Sequence, residues 1–435
     1  MGMTASIAAA ICVVRAKAHS LQMNIAKCVY WYTAALKRDA LCTEALDVLC
    51  SHYLLSKAEQ LKLVDSLDTK DYGEWLRMLY QVKLPAVLSP AARLATAKKL
   101  KVEYGMKQTH DLTYVEARAC SDRFDLTRSL SLTTPVINKG VMHEDCIILH
   151  AITLYRLDKE PELYLLGHKL SEDYPNSQIG LFVVGCYYLL QAKKNDSRTK
   201  RALVYFEKSV SKSWYFLPGW MGYAFAYALK SSTDEVLRAY SRAERFAPGS
   251  HYLPLCTGME YLATNQVALA FRYLKLAKSL CSTDPMVHHE LGIAAYRMGE
   301  VEKAASHLTR VLDLLRQYDD RIVDERDYCH VDFLEPLYCN LGHVMRRREC
   351  YSEAVEYFKR AIALRPKHAA NYSALGLTYA MMGSDALAID VLHTALSLSP
   401  FEKYASELLD KLMNWMADVN VDEAVGMMTS SFSCI

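Results

Sequence analysis

The 435-residue chain is 51% apolar and carries Lys+Arg 51 against Asp+Glu 49, a formal net charge of +2. That balance gives no support to nucleic acid or an anionic membrane as the main partner. Gly 17 and Pro 12 are too few for an all-β protein, and they suit helices joined by short loops.

The apolar start, Ala5 to Val14, is too short to span a membrane and lacks the positive n-region of a signal peptide. It reads as the first half of a helix, although Met1-Gly2 with Ser6 fits the loose myristoylation pattern. Val14, Ala16, Cys28, Tyr32 and Ala35 form a helical unit at about 9–42, and a partial unit follows from Thr43, so residues 9–76 read as N-terminal repeat-like helices. Residues 77–109 contain Pro85 and Pro90 and read as an irregular connection. Residues 110–177 read as two degenerate units, the second ending at Tyr174-Pro175.

From 178 to 402 a period emerges. Gly185 opens a unit with Leu181, Tyr188, Ala202 and Phe206, lengthened by five residues at the polar turn Lys193 to Thr199. Ala224, Gly258 and Gly292 follow at steps of 34. The next step, to Gly342, is 50, which places 16 extra residues around Leu312 to Leu334, read as a lengthened second helix and an exposed loop. The last two units, 335–368 and 369–402, are the clearest. Tyr338, Leu341, Gly342, Ala354, Phe358, Ala361 and Pro366 recur 34 residues on as Tyr372, Leu375, Gly376, Ala388, Leu392, Ala395 and Pro400. A closing helix is expected over 403–417 and a disordered tail over 418–435.

A fixed period of this length is the mark of a helical repeat array. Small residues at the Gly and Ala positions let two helices approach, and large ones such as Tyr338 and Phe358 fill the space beside them. The expected fold is an all-α, right-handed superhelical solenoid of tetratricopeptide type. Its first helices line a concave face that holds peptides. By repeat position the groove candidates are Phe182, Met221, Phe225, Tyr252, Met259, Glu260, His289, Glu290, Ile293, Asn340, His343 and Arg347.

Catalytic signatures are absent: no Gly-x-Gly-x-x-Gly, Walker loop, His-Glu-x-x-His or Gly-x-Ser-x-Gly occurs. His288-His289-Glu290 reads as a groove contact or a structural group, and Arg346-Arg347-Arg348 as a solvated helix end or a contact for an acidic partner. The 13 cysteines are scattered and read as small buried residues in a reducing compartment. Cys329-His330 with Cys339 and His343 lacks the tight Cys-x-x-Cys knuckle of a zinc site. No cofactor or metal is expected.

Several segments carry a more specific signal. They are Ser51-His52-Tyr53, Gly185-Cys186-Tyr187-Tyr188-Leu189, Glu335-Pro336-Leu337 with Asn340-Leu341-Gly342-His343-Val344, Tyr351-x-Glu353-Ala354, Tyr372-Ser373-Ala374 and His393-Thr394-Ala395-Leu396. Together, from about Ile11 to Leu398, they resemble the cell-division-cycle-sixteen type scaffold subunits of the anaphase-promoting complex, the cyclosome. The resemblance implies a non-catalytic scaffold in a multisubunit ubiquitin ligase that marks cyclins and securin. It implies residence in nucleus and cytoplasm, other cyclosome repeat subunits as partners, and a groove over 178–402 that holds the N-terminal peptide of a small accessory subunit. The family carries further repeats before the point matching Ile11, and those mediate homodimerisation. The sequence is therefore read as a truncated gene model, a fragment or a shortened isoform, and homodimerisation is left open. A free-standing adaptor for chaperones is the competing reading. The carboxylate clamp it requires is not continued, because the units beside Asn340 and Arg347 supply Glu290 and Met381.

Overall fold

The computed structural model describes residues 7–67, 73–84, 87–106, 109–318 and 331–414. Every described element is a helix, and helices pair in sequence order as A and B of successive repeats. They fall into two compact units. In the first, spanning Met1–Glu290 with Leu314–Asp320, α1 (Ile7–Leu21) pairs with α2 (Ile25–Arg38). Then come α3 (Thr43–Ser51), α4 (Lys57–Ser66), α5 (Glu74–Lys83), α6 (Pro90–Glu103), α7 (His110–Asp122), α8 (Leu126–Asn138), α9 (Glu144–Arg156) and α10 (Glu160–Asp173). The regular pairs follow: α11 (Gln178–Ala192) with α12 (Thr199–Lys212), α13 (Leu217–Ala228) with α14 (Thr233–Glu244), and α15 (Tyr252–Ala263) with α16 (Val267–Leu280). α17 (Pro285–Arg297) and α18 (Val301–Tyr318) follow. The second unit, Leu291–Asp313 with Arg321–Ile435, contains α19 (Val331–Arg347), α20 (Tyr351–Leu364), α21 (Ala369–Met381) and α22 (Asp385–Leu398).

The B helices bury one face at the spacing the sequence gives. α20 buries Ala354, Phe358 and Ala361, α22 buries Ala388, Leu392 and Ala395, and α16 buries Ala270, Leu274 and Ala277. Each meets a glycine on its A helix. A Cβ at Gly342 would lie 2.7 Å from the Phe358 ring, and one at Gly376 would lie 2.8 Å from Leu392. Both glycines are there because the helices leave no room for a methyl group.

A second regularity was not visible in the sequence. The turn from A to B places one residue in the left-handed region: Ser231, Asn265, Gly299, Glu349 and Gly383. After it, the Gln266 N–H donates to the Tyr261 carbonyl at 2.8 Å, and the Cys350 N–H to Met345 and the Ser384 N–H to Tyr379 at 3.0 Å each. These are the long bonds of the Schellman C-cap, and they satisfy orphan carbonyls of the A helix. Phe124 and Asp158 hold the same conformation, 34 residues apart, with the same bonds. The repeat register therefore runs through the region where side chains no longer show it.

The structure corrects the expected irregular connection over 77–109. Its described residues include the end of α5 and all of α6. Pro90 starts a helix instead of breaking one. Ser89 caps α6, its hydroxyl accepting from the Ala92 N–H at 3.3 Å, and proline fits the first turn, where its missing N–H leaves no bond unmade. α18, at 18 residues, outruns α20 and α22 at 14, and α19, at 17, outruns α21 at 13, so both helices flanking the inserted stretch are lengthened. The loop expected between them falls on 319–330, outside the described residues, as do Cys329-His330, the N-terminal Met1-Gly2 with Ser6, and the tail 418–435. Residues 403–414 are helical, and Ala405, Leu408, Leu409 and Leu412 pack on Leu392 and Ala395. Among the described residues no helix is long and apolar enough to cross a membrane.

Within the first unit, the turn after α3 docks on turns between much later repeats. The Gly249 N–H donates to the Tyr53 carbonyl at 2.9 Å, and a Cβ at Gly249 would fall 2.4 Å from the Leu55 oxygen, so only glycine permits this approach. The His52 ring lies 4.9 Å from that of Tyr215, and the Lys57 ammonium reaches the Thr283 hydroxyl at 3.3 Å. Arg118 donates to the Tyr53 hydroxyl at 3.3 Å.

Candidate functional site

The inner-face candidates divide between the two units. In the first, Phe225 on α13 and Met259 on α15 occupy the same repeat position and are 41% and 37% exposed. Met221 is half-buried against the cluster of Leu217, Val236 and Tyr240. Tyr252 is half-buried with its ring 4.1 Å from that of His251, and burial holds its phenol well above the ordinary range. Glu260 accepts a hydrogen bond from the Thr233 hydroxyl at 2.8 Å, tying α15 to the start of α14.

Three candidates are not groove residues. Phe182 is 2% exposed and lies between Phe206 and Phe216, with ring centroids 6.0 and 5.6 Å away. An aromatic ring at that position fills the inter-repeat core. His289 and Glu290 are 6% and 8% exposed and pair at 3.0 Å, an arrangement that satisfies two buried polar groups instead of presenting them.

In the second unit, Ile293 and Asn340 are half-buried and Arg347 is exposed. The His343 ring packs at 5.2 Å against Phe358, and burial pushes its pKa down to about 4, with the Arg346 charge adding to the shift. The ring is therefore neutral at neutral pH, and its Nδ1 accepts from the Arg346 guanidinium at 3.2 Å. Arg346 also reaches the Ala374 carbonyl on α21 at 3.5 Å. Arg347 reaches back to the Tyr296 carbonyl on α17 at 3.5 Å and stands 5.2 Å over the Tyr296 ring. Repeat position placed Arg347 in the groove and left Arg346 to the basic run Arg346-Arg347-Arg348, yet Arg346 ties α19 to α21 from the same turn.

Two polar clusters also escaped the sequence. Glu335, 2% exposed, accepts from Asn371 at 2.7 Å and pairs with His368 at 2.9 Å and Arg365 at 3.6 Å. The 33-residue spacing of Glu335 and His368 recurs in His251 and Asp284, at 2.8 Å. Such pairs near the repeat offset are the signal that could have found them. The other cluster lines a pocket of about 210 Å³ among α3, α5, α7 and α9, formed in part by Asp47, Cys50, Lys83, Asp111, His143 and Asp145. The Lys83 ammonium bridges Asp47 at 2.8 Å and Asp111 at 2.7 Å, and the His143 Nε2 lies 3.0 Å from Asp111. Those two partners, His143 first, hold Asp111 far below the ordinary carboxylate range. His143 also caps α9, its Nδ1 accepting from the Cys146 N–H at 3.2 Å. Burial pushes the Cys50 thiol up to about 12, so it carries no thiolate at neutral pH. Among the described residues no group of three or more metal-ligating side chains converges.

Comparison with known proteins adds a specific likeness. Residues 287–322 and 336–368 match tetratricopeptide repeat families. The chain is 30% identical over 430 residues to anaphase-promoting complex subunit 6 of Arabidopsis thaliana, covering 97% of this chain and 76% of that protein. It is 33% identical over 408 residues to the cell division cycle protein 16 homolog of Homo sapiens, covering 93% of this chain but 63% of the relative's length. Among solved structures, a chain of the crystal structure of the APC/C hetero-tetramer Cut9-Hcn1 aligns with a TM-score of 0.76 at 27% identity. The alignment covers 95% of this chain and 78% of that one.

Proposed function

This chain belongs to the family of anaphase-promoting complex subunit 6 and the cell division cycle protein 16 homologs, and on that premise we propose that it is a non-catalytic scaffold of that ubiquitin ligase. Its repeats would join other subunits of the complex, and the inner faces of its A helices would hold a peptide of a small accessory subunit, in nucleus and cytoplasm. The observation that carries the reading is the alignment over 95% of the chain with a structure of the hetero-tetramer Cut9-Hcn1. An array of this kind acts through its surface, with contacts spread over many repeats. Within the first unit, Phe225 and Met259, exposed at one repeat position, would supply apolar anchors for such a peptide. The test is affinity purification of the tagged chain from cells in mitosis. Near-stoichiometric recovery of other subunits of the complex is the expected result, and recovery of chaperones alone would overturn the proposal.

A further inference from the structure

The last turn of α19 and the residue after it carry three consecutive arginines, and they are not equivalent. Arg348 is neutralised by Glu302, with Nε 3.0 Å from the carboxylate. Arg346 and Arg347 have no carboxylate within salt-bridge distance among the described residues; their contacts are the Ala374 and Tyr296 carbonyls, the His343 nitrogen and the Tyr296 ring. Three other carboxylates of the described residues have partners of their own, with Oε2 of Glu300 and of Glu402 left without a hydrogen bond. Glu335 is held by Arg365, His368 and Asn371, Glu300 by Lys303, and Glu402 by Ser373. His343 adds no charge, because burial keeps it neutral at neutral pH. Accepting from Arg346 at Nδ1 leaves its proton on Nε2.

The contacts also fix direction. Arg346 reaches forward to Ala374 on α21 and Arg347 back to Tyr296, so two positive charges from one helical turn are tied to two further A helices through residues of the second unit. A guanidinium held by carbonyls at 3.5 Å is oriented, and its charge is not matched by a carboxylate of the described residues. A carboxylate would form shorter, charge-assisted bonds to the same fork. Met298 and Met381, at the ends of the two helices these arginines reach, are exposed apolar side chains.

The geometry points to Arg346 and Arg347 as the anchor for an acidic segment of a partner protein, with Asp or Glu side chains at the guanidiniums and apolar residues towards Met298 and Met381. This rests on the reading that the A helices hold a peptide, and it assigns that peptide a charge. Charge matching of this kind sets specificity and encounter rate more than raw affinity.

The experiment is selection from a random dodecapeptide display library on the full chain, on Arg346→Glu/Arg347→Glu and on Arg348→Glu. The wild type is expected to enrich Asp and Glu over Lys and Arg by about tenfold, the factor that corresponds to about 1.4 kcal/mol. The double variant should lose that preference or invert it, while Arg348→Glu, which removes a neutralised charge, should keep it. Thermal melts of all three chains establish that they are folded. Absence of acidic enrichment in the wild type, or enrichment that survives the double reversal, overturns the assignment. Co-purification of the double variant with other subunits of the complex separates this outcome from failure of the scaffold reading.

Discussion

In residues 335–402 each A helix lies on its B helix through a glycine and a large side chain, Gly342 on Phe358 and Gly376 on Leu392. In residues 74–138 the four helices contain no glycine, and ion pairs take a larger part. Lys83 spans Asp47 and Asp111, Arg93 meets Asp122 at 3.0 Å, and Lys101 meets Glu116 at 2.7 Å. Both stretches keep the A-to-B turn of the repeat, with Phe124 in the same left-handed conformation as Glu349 and Gly383. The backbone plan is thus common to both, and the means of holding adjacent helices differ. A close-packed contact admits few residue types, so it leaves a period in the sequence. A partly exposed ion pair can be drawn from many combinations and leaves none.

The largest effect should come from emptying the packed contact. Phe358→Ala removes a fully buried ring and is expected to cost about 3–5 kcal/mol in chemical denaturation. Gly342→Ala attacks the same contact from the other side. Its new methyl would sit 2.7 Å from the ring of Phe358, and the expected cost is about 1–3 kcal/mol. A Gly342→Ala chain as stable as wild type would show that α19 and α20 can separate cheaply, and the contrast with the ion-paired region would lose its basis.

The ion-paired region should respond to pH instead. Asp111 is held below its ordinary value of about 3.9 by His143 and Lys83. A depressed carboxylate contributes stability that is present above its unfolded pKa and lost as pH falls towards the folded one. Asp111→Asn should therefore cost stability at pH 5–6, and the difference from wild type should shrink as pH falls below about 4. Taking the difference at each pH separates Asp111 from Glu144 and Asp145, whose carboxyls burial pushes up. A penalty that stays constant down to pH 3 would mean that the charge of Asp111 contributes nothing.

The sequence period located the A and B helices from 178 onwards because Gly, Ala, Phe and Leu recur at positions where size is constrained. It misjudged Pro90, since proline reads alike as a breaker and as a first-turn residue until its N-cap is seen. Among the groove candidates chosen by repeat position, Phe225, Met259 and Arg347 are exposed, whereas Phe182, His289 and Glu290 are buried. Exposure at a given position depends on the bulk of the adjacent repeats: Phe206 and Phe216 close over Phe182. The contact of Tyr53 and Leu55 with Gly249 joins positions nearly two hundred residues apart, and no short-range pattern encodes it.

The smallest expected effect tests the feature shared by both regions. The turn position holds Glu at 349 and Gly at 299 and 383, with φ of 64, 82 and 72°. For a residue with a Cβ this conformation costs about 1–2 kcal/mol. Glycine avoids that cost but gives up about 0.5–1 kcal/mol through the greater freedom of its unfolded chain. The first effect outweighs the second, so Glu349→Gly should stabilise by roughly 0.5 kcal/mol. Gly383→Ala should destabilise by a comparable amount, since nothing lies within 4 Å to obstruct the new methyl and only the backbone conformation opposes it. Paired denaturation curves would show opposite shifts in midpoint. Shifts of the same sign would mean that the left-handed turn is not the term that distinguishes these two positions.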